Sequence, residues 1–199
     1  MVAHVLVPVK RLDGAKSRLA AVLSARERAE LMRELLGRVL AAAGEAGVGP
    51  VTVVSSEPLA LDGVTRFDDR GLAWNEAIAA AMRGVTAPVA AVVSADLPDL
   101  VAEDVRALVE SVPSPRGLAI ARALDGGTNA VAMRPPGAVR TCFGLPGSAA
   151  EHVRLARGAG LEWRTLDRPG LAFDVDTPQD LERLSGGAGL ALGRSRAWR

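Results

Sequence analysis

Val89-Ala90-Ala91-Val92-Val93 runs without a polar break into Ser94-Ala95-Asp96-Leu97-Pro98. Five consecutive apolar residues bounded by turn formers read as a short strand buried on both faces. Ala3 to Val9 and Val51 to Val54 repeat the pattern, and Val64 to Phe67 is a weaker third copy. Between them lie segments with helical periodicity. Ser24 opens one, with Glu27 three residues later as a capping box. Leu31, Leu35, Val39 and Leu40 form its apolar stripe, and Gly47, Gly49 and Pro50 end it. Trp74 to Met82 and Glu103 to Val109 are further helices. Apolar strands alternating with amphipathic helices predict an α/β fold, with a mainly parallel sheet covered on both faces.

The second half is more mixed. Leu118 to Ala121 and Val131 to Met133 are expected strands around the turn Asp125-Gly126-Gly127. Ser148 and Glu151 have capping-box spacing and predict a helix toward Gly158. Leu161 to Leu166 and Leu171 to Val175 are expected strands, and Thr177-Pro178 starts a last helix. Residues 1–185 are expected to form a single domain, and the Gly-, Ala- and Arg-rich stretch 186–199 a flexible tail.

Composition excludes more than it selects. The 199 residues carry 24 Lys+Arg against 23 Asp+Glu, so bulk electrostatic binding to nucleic acid is not expected. Cys142 is the only cysteine, which excludes an internal disulfide and any cysteine-cluster zinc site. No stretch approaches the ~18 apolar residues of a membrane helix. The apolar start lacks a basic leader and is broken by Pro8, so a cytoplasmic location is expected. Lys10 and Lys16 are the only lysines in an arginine-rich chain. Lysine is a compact point charge where arginine is a planar fork, so these two positions stand out.

In an open parallel sheet, ligands bind beyond the carboxyl ends of the strands. Four polar clusters fall there. The loop after the first strand holds Lys10, Lys16 and Arg18, which suit a polyphosphate, although it is neither a Walker loop nor a dinucleotide loop. Asp96 directly follows a buried strand, where it can hold a cation or simply cap a turn. Asp174 and Asp176, in Phe173-Asp174-Val175-Asp176-Thr177-Pro178, point to one side of an extended segment. Hard oxygen ligands without His or Cys suit Mg²⁺ or a similar ion. Capping of the last helix accounts for Asp176 but not Asp174. The fourth cluster is Asp125-Gly126-Gly127-Thr128-Asn129-Ala130 with Phe143-Gly144-Leu145-Pro146-Gly147-Ser148. Its small residues let backbone amides approach an anion, or form two ordinary tight turns. Asn75 caps a turn or touches a nucleotide. His4 and His152 read as structural or exposed, and Cys142 lacks the partners of a nucleophile.

Taken in order, these segments resemble a known family. They are V-P-V-K-x-L-x-x-A-K-S-R-L at 7–19, S-A-D-L-P-D-L at 94–100, D-G-G-T-N-A at 125–130, F-G-x-P-G-S at 143–148 and F-D-V-D-T-P-x-D-L at 173–181. The chain resembles the guanylyltransferases that make the phosphodiester precursor of the deazaflavin coenzyme F-420. The resemblance implies a three-layer α/β/α nucleotidyltransferase fold, like nucleotide-diphospho-sugar transferases and GT-A proteins. It implies GMP transfer from GTP to phosphoenolpyruvate, with 2-phospho-L-lactate next and 3-phosphoglycerate third as acceptors. It further implies Mg²⁺, as two ions, on Asp96, Asp174 and Asp176, and GTP phosphates on Lys10, Lys16 and Arg18, with Asn75 as a nucleotide contact. Asp96, Lys16 and Asp176 would be catalytic, while Thr128, Gly144 and Ser148 would bind the acceptor. The resemblance allows a homodimer and implies neither nucleic acid nor membrane as a partner. Leu145 departs from the more usual F-G-P-G-S, which makes Gly144 harder to place than Ser148. The rivals are another nucleotidyltransferase, which would usually open on a Gly-rich loop, and a non-catalytic nucleotide-binding module.

Overall fold

A computed structural model describes residues 2–10, 14, 16–59 and 63–186. Residues 11–13 of the expected phosphate loop, and the expected tail from 187 onward, lie outside the described residues. Seven strands form one sheet in the order β3-β2-β1-β4-β6-β5-β7. They are β1 (Ala3–Pro8), β2 (Val51–Val54), β3 (Thr65–Phe67), β4 (Val89–Val93), β5 (Gly117–Arg122), β6 (Thr128–Arg134) and β7 (Glu162–Leu166). β1 pairs in parallel with both β2 and β4, and β5 pairs in parallel with β7. β6 is antiparallel to both β4 and β5, so it is the reversed strand of a mainly parallel sheet. That reversal has a consequence for the site. The carboxyl ends of β1, β4 and β5 share an edge with the amino end of β6, where Thr128 and Asn129 sit.

Alternation within each strand divides the core in two. Val5, Val7, Ala91 and Val93 face one layer, formed by α1 (Ala25–Ala46), α3 (Ala102–Glu110) and Leu171 of the short α5 (Pro169–Ala172). Leu6, Val92, Ile120, Val131 and Met133 face the other, formed by α2 (Trp74–Met82) and α4 (Ser148–Gly158). Each fully buried Leu or Ile contributes about 1.5–3 kcal/mol of transfer free energy, so both faces must be covered. The capping box at α1 is present: Glu27 N–H donates to Ser24 Oγ at 3.3 Å, and Ser24 N–H to Glu27 Oε2 at 2.8 Å.

A third, smaller core packs Leu19, Leu23, Leu31 and Leu35 against Phe173, Val175 and Leu184 of α6 (Pro178–Gly186). It ties the turn after Lys16 to the segment carrying Asp174 and Asp176, 160 residues away in sequence.

Two expectations are corrected here. Leu171–Val175 is not a strand. Pro169 begins the short helix α5, held by Arg168 Nε donating to the buried Asp104 at 2.5 Å, and Phe173 to Val175 adds no rung to the sheet. Gly170 packs so closely on Asp104 and the Asp99 carbonyl that a Cβ there would overlap both. Ser148 and Glu151 do not form a capping box. Gly147 is the N-cap in the left-handed region (φ 65°), and Glu151 instead accepts from Arg140 and Arg154 at 2.9 and 2.6 Å. The last helix does start at Thr177, whose Oγ1 accepts from Asp180 N–H at 3.3 Å.

Candidate active site

The carboxyl edge of the sheet opens into a cleft of about 610 Å³. Lys10, Lys16, Arg18, Asp96, Thr128, Gly144, Ser148, Asp174 and Asp176 all line it. Of the residues expected from the sequence, Asn75 stands outside the lining. Its carboxamide is used on the backbone of Phe143, accepting from Phe143 N–H at 2.9 Å and donating to Phe143 O at 3.0 Å. Asn75 thereby anchors the loop that presents Gly144 and Ser148.

One wall is anionic. Phe173 and Val175 are buried in the third core, so period-two alternation turns Asp174 and Asp176 toward the cleft even without a sheet ladder. Val175 N–H reaches Asp96 O at 3.4 Å and fixes that segment beside the end of β4. Asp180 accepts the backbone N–H groups of Asp176 and Thr177 at 3.1 and 2.7 Å. The carboxylate of Asp176 is thus relieved of capping. One carboxylate oxygen from each of Asp96, Asp174 and Asp176 lies within 4.8 Å of the others.

Lys16 stands among these groups. Its ammonium donates to Asp96 Oδ2, and to Asp176 Oδ1 at 2.7 Å, with a side chain only 5% exposed. Burial alone would lower its pKa, but the two carboxylates outweigh burial and hold it above the ordinary lysine value. Lys16 adopts a left-handed conformation (φ 51°, ψ 46°), uncommon for a residue with a Cβ. Arg18 is mostly exposed and approaches Asp176 Oδ2 at 3.6 Å. Lys10 lies over the Trp74 ring, 4.4 Å from its centroid.

Among the described residues, no cation forms an ion pair with Asp174. Asn129 Nδ2 donates to it at 3.2 Å, but burial, followed by the charge of Asp96, pushes its carboxyl from the ordinary 3.8 up to about 6. The donor set therefore fits a hard divalent cation: all oxygen, clustered, half-buried and short of positive charge. The same shift makes a prediction. Between about pH 4 and 6 the folded protein holds a proton on Asp174 that the unfolded chain has released. Asp174 therefore contributes stability to the metal-free protein that is lost as pH rises through that window. It is opposed by buried His152, which stays neutral when folded while the unfolded chain binds a proton. Asp174→Asn should make stability rise more steeply with pH than it does in the wild type. Thermal denaturation in EDTA across the window measures this; an unchanged slope in the variant refutes it.

Another part of the cleft lining offers hydroxyls and a helix N-terminus, groups that can receive an anion. Thr128 and Ser148 are buried at the cleft, and Ser148 Oγ donates to Thr128 Oγ1 at 3.0 Å. Gly144 and Gly147 take positive φ (74° and 65°), leaving this loop without Cβ atoms on its tight bends. The positive end of α4 adds to the attraction for negative charge. Cys142 is buried, does not line the cleft, and has a thiol pushed up by burial, which does not suit a nucleophile.

Sequence reasoning left out Asn129, Trp74 and Asp180 as site residues and read His152 as structural or exposed, whereas it is buried against Thr128. Asn129 sits inside the quoted Thr128-Asn129 pair. His152 follows Ser148 by four residues, so one helical turn places both on the same face.

The comparisons with known proteins agree with this geometry. Among solved structures, a chain described as a nucleotide-diphospho-sugar transferase from Desulfovibrio desulfuricans G20 matches with TM-score 0.73 at 23% identity, over 92% of this chain and 87% of that one. A Mycobacterium tuberculosis H37Rv protein in complex with manganese matches with TM-score 0.54 at 20% identity, over 92% and 97%. At these identities the likeness establishes the nucleotidyltransferase-type fold. Among described residues, no helix is long and apolar enough to cross a membrane. In sequence, the chain is 44% identical to a phosphoenolpyruvate guanylyltransferase of Sphaerobacter thermophilus, over 94% of this chain and 95% of that protein. It is 38% identical to one of Rubrobacter xylanophilus, over 99% and 100%. It is also 38% identical to a 2-phospho-L-lactate guanylyltransferase of Natronomonas pharaonis, over 89% and 82%. The model of the family described as "Guanylyl transferase CofC like" matches residues 3–188, and the chain belongs to that family.

Proposed function

We propose that the protein transfers GMP from GTP to phosphoenolpyruvate, giving enolpyruvoyl-2-diphospho-5'-guanosine and pyrophosphate, as a step of deazaflavin coenzyme biosynthesis. One observation carries this reading. The cation-seeking cluster of Asp96, Asp174 and Asp176 and the small polar group of Thr128, Gly144 and Ser148, which suits an anion, line one and the same cleft. Such a cleft suits two phosphorylated molecules whose phosphates must be brought together.

A phosphate oxygen of the acceptor attacks the α-phosphorus of GTP, and the bond to the departing pyrophosphate breaks. Asp96, Asp174 and Asp176 would hold Mg²⁺, with two ions proposed, which when bound neutralise the phosphates in play. The manganese complex of a protein with this fold supports a divalent cation. Lys16, Arg18 and Lys10 bring positive charge to the GTP phosphates from the start of the chain. Thr128 and Ser148, with the amides near Gly144 and the α4 terminus, hold the phosphate and carboxylate of the acceptor. Positioning and charge supply the rate, and no covalent enzyme intermediate is required.

Transfer to 2-phospho-L-lactate is a second reading, favoured by the Natronomonas pharaonis relative. Incubation with GTP, Mg²⁺ and phosphoenolpyruvate, 2-phospho-L-lactate or 3-phosphoglycerate, followed by pyrophosphate release, separates them. Phosphoenolpyruvate is expected to lead in kcat/KM by about tenfold or more, the scale on which a pocket resolves such small differences. No release with any of the three, even with the product-consuming enzyme added, overturns the proposal.

A further inference from the structure

His152 is fully buried on α4 and does not line the cleft, yet it is bonded to both the start of β6 and the loop before Phe143-Gly144, which carry the anion-seeking groups. Its Nε2 accepts the backbone N–H of Cys142 at 3.0 Å, one residue before Phe143-Gly144. Its Nδ1 lies 3.0 Å from Thr128 Oγ1, and its ring meets Phe143 edge-on with centroids 5.7 Å apart. Burial holds its pKa down at about 4, so the ring is neutral near pH 7 and carries one proton.

A backbone N–H can only donate, so Nε2 must be the bare nitrogen and Nδ1 must carry the proton. Nδ1–H therefore faces Thr128 Oγ1, with the backbone carbonyl of Ser148 as a second acceptor, and Nδ1 cannot accept a hydroxyl hydrogen. Thr128 and Ser148 own two hydroxyl hydrogens between them. One is used in the bond joining the two hydroxyls. With the histidine end already supplied by a donor, no other acceptor for the second hydrogen is found among the described residues, and it is left for the cleft. In the opposite tautomer, Nδ1 would draw a hydroxyl hydrogen toward itself, and none would remain for a ligand. An anionic oxygen needs that donor.

We propose that His152 is a positioning residue for the acceptor: it fixes the polarity of the Thr128–Ser148 hydroxyl pair so that one O–H points at a phosphate or carboxylate oxygen of the small substrate. The inference rests on the reading that Thr128 and Ser148 hold the acceptor.

Steady-state kinetics with GTP, Mg²⁺ and phosphoenolpyruvate test it. His152→Phe keeps the ring but has no donor. Both hydroxyl hydrogens remain but their direction is no longer fixed, so the KM for phosphoenolpyruvate should rise about fivefold, the scale of one neutral hydrogen bond, with the KM for GTP changed less than about twofold. Thr128→Val should raise the same KM, and the double variant should be no worse than the worse single. His152→Asn can still donate through Nδ2 and should fall within about threefold of the wild type. If Thr128→Val leaves the KM for phosphoenolpyruvate unchanged, the acceptor-site reading fails, and this inference with it. If Thr128→Val raises it while His152→Phe does not, or if His152→Asn is no better than His152→Phe, the inference alone fails. Should the variants not fold, ¹⁵N NMR of the wild-type imidazole still decides. The Nδ1–H tautomer is required, and an Nε2–H tautomer overturns the inference.

Discussion

Asp96→Asn is expected to lower kcat for guanylyl transfer ~10³-fold, the loss of several kcal/mol of transition-state charge stabilisation, while the protein stays folded. The substitution is isosteric and removes one charge from the centre of the acidic cluster. Asp96 pairs with Lys16 and also repels Asp174, so its stability terms oppose one another. The melting temperature should move by no more than ~3 °C, the shift that about 1 kcal/mol produces in a domain of this size. The backbone carbonyl of Asp96 still accepts from Val175 N–H, so the 173–176 segment keeps its place. Asp176→Asn should behave alike, because Asp180 and not Asp176 supplies the caps of α6. Pyrophosphate release at saturating substrates, with thermal denaturation as the folding control, measures both variants. Near-normal turnover in either would refute the cation-holding role of that carboxylate.

Lys16→Met is expected to lower kcat/KM for GTP by ~10²–10³, comparable to losing one preorganised donor to developing charge. Methionine is similar in length but carries no charge. Loss of the ammonium has a second effect that an exposed lysine would not show. Lys16 is enclosed between Asp96 and Asp176, so its removal leaves three clustered carboxylates with only the exposed Arg18, 3.6 Å from Asp176, as a counter-cation. The metal-free variant should therefore melt lower than the wild type at pH 8, and Mg²⁺ should recover more of its stability than it adds to the wild type. Lys16→Arg should not restore activity, since a planar guanidinium is too large for a site where the side chain is 5% exposed. A Lys16→Met protein with unchanged KM and kcat for GTP would refute the role. The expected loss, unrescued by Arg, would also explain why the position is Lys in a chain whose other cations, apart from Lys10, are all Arg.

Much of the architecture was legible from local pattern. The run Val89–Val93 could only be a doubly buried strand, and β4 lies inside the sheet with every residue buried. The Asp125-Gly126-Gly127 turn did join β5 to β6, with Gly126 at φ 86° and Gly127 N–H donating to Asp125 Oδ1 at 2.7 Å. The period-two spacing of Asp174 and Asp176 placed both on one side, although the segment is not a strand. The expectation of a strand at Leu171–Val175 failed because apolar content does not distinguish a sheet rung from a segment packed on a satellite core. Pro169 and the Arg168–Asp104 pair decided for a helical turn. Ser148 and Glu151 have the spacing of a cap, but stronger partners lay elsewhere: Thr128 for the hydroxyl, Arg140 and Arg154 for the carboxylate.

By itself, the sequence determined the class of fold, the strand ends at which chemistry had to sit, and the identity of nearly all residues that line the cleft. These follow from periodicity, from turn chemistry and from the rule that polar groups collect where buried strands stop. Tertiary structure alone decided which of those groups meet. Lys16 reaches Asp176 across 160 residues of chain because a small core of leucines binds their two segments together. His152 governs Thr128 because a reversed strand brings Thr128 to the edge where α4 begins. Such pairings depend on the path of the backbone through space, and local spacing carries no record of that path.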